Sequence, residues 1–108
     1  MSNPNRNEFE CTLGGEALKL HASFNNLCDM EEKAGASLQA LAGLASDPKK
    51  GLTMRQLAAI VSAGTGGKLT VEQAGELIAI DGFTDGAPKV YEFLNVCFSG
   101  AGTGSKKK

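Results

Sequence analysis

The sequence predicts an α+β fold: an N-terminal β-hairpin followed by a bundle of about five short helices. Three observations carry this. Polar and apolar residues alternate on both sides of Gly14-Gly15, two capping-box sequences recur in the second half, and apolar residues at helical spacing are punctuated by Gly and Pro.

From Glu8 to Ala22, Phe9, Cys11 and Leu13 share one face of a strand, and Leu18, Leu20 and Ala22 share one face of the next. Gly14-Gly15 supplies the positive φ of a tight two-residue turn, leaving Glu8, Glu10, Thr12, Lys19 and His21 outward. Ser23 caps a helix with Phe24, Leu27, Cys28 and Ala34 on its apolar stripe and Asp29, Glu31 and Glu32 outside, ended by Gly35. Ser37 opens a second helix through Leu38, Leu41, Ala42 and Ala45, stopped by Asp47-Pro48 because a residue preceding proline is pushed out of helical space.

Leu52-Thr53-Met54-Arg55-Gln56-Leu57 and Leu69-Thr70-Val71-Glu72-Gln73-Ala74 each place a Thr–Gln capping box inside a hydrophobic staple. Each cap contributes about 1 to 2 kcal/mol and fixes the start of the third and fourth helices. Gly64-Thr65-Gly66-Gly67 between them reads as a flexible connector. Asp81-Gly82 ends the fourth helix, Pro88 opens a fifth that runs to Ser99, and Gly100 caps it.

A chain of 108 residues holds one core. The organisation expected is a disordered arm over 1–7, a single domain over 8–100, and a disordered Gly, Ser, Thr and Lys tail over 101–108. No apolar run reaches membrane-spanning length and no signal-peptide pattern opens the chain, so a cytoplasmic protein is expected. Cys11, Cys28 and Cys97 are odd in number and set among apolar neighbours, as for buried, reduced thiols. Six of the twelve acids lie between Glu8 and Glu32, which argues against nucleic acid and anionic lipid and for protein partners.

A catalyst needs a nucleophile, a base or metal ligands placed together, and the sequence offers a single His21 and no CxxC spacing. No enzymatic activity, cofactor, metal or small-molecule substrate is expected. Gly64 to Thr70 departs from a phosphate-binding loop, with Ser62 where its first glycine belongs and Leu69 in place of the magnesium-binding hydroxyl. A DNA-reading helix-turn-helix over the third and fourth helices is opposed by Glu72 and Glu76.

The fifth helix carries the candidate binding residues. Val90, Tyr91, Phe93, Leu94, Cys97 and Phe98, with Val96, cover most of its circumference and leave only Glu92, Asn95 and Ser99 polar. Such a helix is either the centre of its domain or an apolar strip that holds a partner's amphipathic helix.

The order of these segments resembles the tail assembly chaperone family of phages and gene transfer agents. The resemblance rests on Leu18-Lys19-Leu20-His21 leading to Glu31-Glu32-Lys33-Ala34-Gly35-Ala36-Ser37-Leu38, on Leu57-Ala58-Ala59-Ile60-Val61-Ser62-Ala63-Gly64, on Leu69-Thr70 through Asp81-Gly82, and on Val90 to Phe98. It implies a prophage tail-operon protein of the host bacterial cytoplasm that keeps the long, helical tape measure protein soluble during tail assembly. A structural tail or connector subunit of the virion is the alternative. The residues leave homo-oligomers open.

Overall fold

A computed structural model describes residues 8–47 and 49–98. The arm over 1–7, Pro48, the helix end expected at Ser99 and Gly100, and the tail over 101–108 lie outside the described residues.

The α+β architecture is as the alternation and the caps require. Strands β1 (Glu8–Leu13) and β2 (Glu16–His21) pair antiparallel with Leu13 opposite Glu16, Cys11 opposite Leu18 and Phe9 opposite Leu20. The two-residue turn uses Gly14 and Gly15 at φ 58° and 84°, a conformation that L side chains resist. Five helices follow: α1 (Phe24–Ala34), α2 (Leu38–Ser46), α3 (Met54–Gly64), α4 (Val71–Asp81) and α5 (Phe83–Phe98). Ser23, Ser37, Thr53 and Thr70 each accept a backbone N–H at the N-cap, and both capping boxes are complete.

Helix α3 is the spine. Every residue from Leu57 to Gly64 is buried, because α1, α4, α5 and the hairpin pack around it. Phe93 of α5 is fully buried, its ring centroid 5.9 Å from that of Phe9, and the absent side chain of Gly64 makes room for it. Leu13, Leu20, Met30, Leu41, Ile78, Val90 and Leu94 complete the core. Burying one such side chain contributes about 1.5 to 3 kcal/mol, so the hairpin is held chiefly by Leu13 and Leu20.

Asp81 ties the hairpin tip to the corner between α4 and α5. One carboxylate oxygen accepts the Gly14 N–H at 2.9 Å, and the other accepts from Lys89 Nζ at 3.0 Å, which also donates to the Thr12 carbonyl. These two hydrogen bonds hold the Asp81 carboxyl below its ordinary pKa, the Lys89 bond more strongly than the Gly14 bond.

Three expectations are corrected. Helix α5 begins at Phe83, five residues before Pro88: the Gly82 carbonyl accepts from the Asp85 and Gly86 N–H groups, and the first turn packs Gly86 against Ile78 of α4. Pro88 is carried inside the helix at the cost of one backbone hydrogen bond. Secondly, α1 buries Met30 and packs Leu27 and Ala34 against the core, so the stripe is rotated away from Phe24, 79% exposed, and from Cys28, which is exposed rather than buried.

Thirdly, the connector after α3 is fastened at both ends. Ser62 Oγ donates to the Leu69 carbonyl at 2.7 Å and accepts from Lys33 Nζ at 3.0 Å; Thr65, buried, donates from Oγ1 to the Ser62 carbonyl at 2.7 Å and accepts the Leu69 N–H at 3.3 Å. A run of glycines gives no hint of the two hydroxyls that organise it.

Candidate partner-binding surfaces

Of the six residues the sequence nominates on α5, Val90, Phe93 and Leu94 are interior and present nothing to a partner in this fold. Tyr91 and Cys97 are half-buried against the same core. The Tyr91 hydroxyl accepts the Leu52 N–H at 3.2 Å, a bond that seats the start of α3 on α5. The side chain of Phe98 lies outside the described residues. The apolar surplus of α5 therefore serves the domain centre.

Burial raises the thiol pKa of Cys97 to about 12 and also raises that of Cys11. His21 sits half-exposed on the outer face of β2, 3.7 Å from the Glu8 carboxylate, with Lys19 and Glu10 paired beside it at 3.8 Å. Among the described residues no group of three His, Cys, Asp or Glu side chains is placed to hold a metal ion. Among the described residues, no helix is long and apolar enough to cross a membrane.

Apolar surface is instead exposed around α3 and α4. A shallow, wide-open groove of about 600 Å³ runs between them, lined by Met54, Ala58, Val71, Gly75 and Ala79, with Arg55 on the α3 side and Glu72 and Glu76 on the α4 side. Its floor is low because Ala58 and Gly75 face each other: a methyl added at Gly75 would sit 3.5 Å from the Ala58 methyl, ordinary contact with nothing else above it. Met54, 38% exposed, stands at the mouth, and its unbranched thioether adapts to varied apolar partners. The capping boxes position both walls, since Thr53 and Thr70 fix where Met54 and Val71 begin their helices. Glu72 and Glu76, one turn apart on α4, repel each other by a few tenths of a kcal/mol and set a negative rim.

The other flank of α4 faces the hairpin. There Leu18, Leu69, Leu77 and Ile80, the last 69% exposed, line a hollow of about 320 Å³ edged by Glu16 and Glu76. At Leu18 and Leu69 it meets a larger cleft of about 900 Å³ between the hairpin and the α3–α4 connector, with Cys11, His21, Asn26 and Lys68 on its walls. Asn26 holds this side together, its amide donating to the His21 and Gly64 carbonyls at 3.0 and 3.3 Å.

Sequence reasoning missed both surfaces. The pairing of Ala58 with Gly75, two small residues on facing helices, was the available signal for the groove. Compared with models of protein families, with curated proteins and with solved structures, the chain has no match.

Proposed function

We propose that this chain is a phage tail assembly chaperone, acting in the bacterial cytoplasm, that binds an amphipathic helix of the tape measure protein and keeps that protein soluble until the tail tube forms. The observation that carries the reading is the α3–α4 groove: a small-residue floor, a methionine at the mouth, and a rim with Glu72 and Glu76 on one side and Arg55 on the other. A groove of that shape takes the apolar face of a helix, and the acids attract its flanking basic residues. A complex of this kind buries about 1,000 Å² or more in total, and the acidic body keeps it dispersed. The resemblance of segment order to the tail assembly chaperones supports the same reading.

The test is co-expression of the chain with the largest helical protein encoded downstream of it, followed by mass spectrometry of assembled particles. A chaperone raises the soluble fraction of the long protein and is missing from finished tails. A chain present in many copies per tail is a structural subunit, and the proposal then fails.

A further inference from the structure

We propose that the free edge of β2 joins a second copy of this chain, pairing β2 with β2 antiparallel about Leu18. The inference goes beyond the chaperone reading and does not depend on it. In a hairpin closed by a two-residue turn, the residues flanking the turn exchange backbone hydrogen bonds, so Leu13–Glu16, Cys11–Leu18 and Phe9–Leu20 are the bonded pairs. Ala17, Lys19 and His21 therefore direct their N–H and C=O groups outward from β2. Two contacts agree with this parity: the outward carbonyls of Thr12 and His21 are taken by Lys89 and Asn26. Among the described residues no hydrogen bond reaches the outward groups of Ala17 and Lys19. An open edge of this kind is a template for another strand.

The edge is also shaped for its own copy. A strand paired antiparallel about Leu18 sets Ala17 against the copy's Lys19 for the hydrogen bonds, and sets Leu18 against the copy's Leu18. Leu18 lies where the two hollows beside β2 meet, with Leu69 opposite, so each copy's Leu18 enters apolar space left open in the other. Charge is distributed with the same polarity: Glu16 and Glu76 edge the hollow at the start of β2, and Lys68 lines the larger cleft together with Lys19 and His21 of its second half. Antiparallel pairing brings the acids of each copy to the lysine of the other, the self-complementarity that an isologous two-fold contact requires.

Sedimentation equilibrium of the full chain over a wide concentration range tests this, with circular dichroism checking that each variant folds. Lys19→Pro removes an edge donor that the hairpin does not use and weakens self-association about tenfold or more. Glu16→Lys with Glu76→Lys weakens it, and adding Lys68→Glu restores it, because the swapped charges are again complementary across the two-fold axis. A chain that stays monomeric throughout overturns the proposal. So does a dimer indifferent to Lys19→Pro, or one that the charge swap fails to restore.

Discussion

Replacing Gly64 and Gly75 by alanine, one at a time, makes the same chemical change in two helices and is expected to have opposite effects. A methyl at Gly64 would lie 2.9 and 3.1 Å from two ring carbons of Phe93 and 3.2 Å from Leu20 Cβ, all three inside ordinary contact distance. Phe93 and Leu20 are fully buried and cannot turn into solvent. Overpacking of that kind costs about 1 to 3 kcal/mol. Alanine returns about 0.5 kcal/mol of helix propensity, less than mid-helix because Gly64 is the last residue of α3. The net expectation is a loss of about 0.5 to 2.5 kcal/mol, and each kcal/mol lowers Tm by about 4 to 8 °C in a domain of this size. At Gly75 the nearest atom would be 3.5 Å away, so the propensity term stands alone and stability rises by about 0.5 to 1 kcal/mol. Urea unfolding followed by far-UV circular dichroism reads both, provided the m value is unchanged. A Gly64→Ala chain as stable as its parent would refute the packing of α5 across α3, and a destabilised Gly75→Ala chain would refute the open floor of the groove.

Two further expectations concern titration and reactivity. The Asp81 carboxyl has a folded-state pKa below its unfolded value of 3.8, so its contribution is complete above that value and is lost as pH falls through the folded pKa. Asp81→Asn should flatten the stability-against-pH curve in that acid range, and an unchanged curve would show that the Gly14–Asp81–Lys89 tie is idle. With its pKa near 12, Cys97 is about one part in ten thousand thiolate at pH 8. A thiol reagent should therefore modify exposed Cys28 rapidly and Cys11 and Cys97 slowly, all three reacting alike in denaturant. Equal rates in the native protein would contradict the half-buried positions of Cys11 and Cys97.

The elements were legible where local chemistry decides them. Gly14-Gly15 can only turn, and Thr53-x-x-Gln56 and Thr70-x-x-Gln73 state their own helix starts. What stayed hidden depends on partners distant in sequence. Phe83 begins α5 because Gly86 is small enough to pack on Ile78, and Phe24 and Cys28 are displaced outward because Met30 takes the core position on α1. The apolar excess of α5 is visible in the sequence; which neighbours absorb it is decided by Gly64 and Phe9, 29 and 84 residues from Phe93.

The groove between α3 and α4 is tested most directly by Met54→Glu in the co-expression with the largest helical protein encoded downstream. Glutamate at the first position of α3 suits the helix dipole and leaves the fold intact, yet it sets a charge at the mouth of the groove. Phe24→Ser, at a more exposed site outside the groove, serves as the control. The long protein is expected to co-purify with the parent and with Phe24→Ser and to be lost with Met54→Glu. Undiminished co-purification with Met54→Glu, or none with the parent chain, would contradict this expectation.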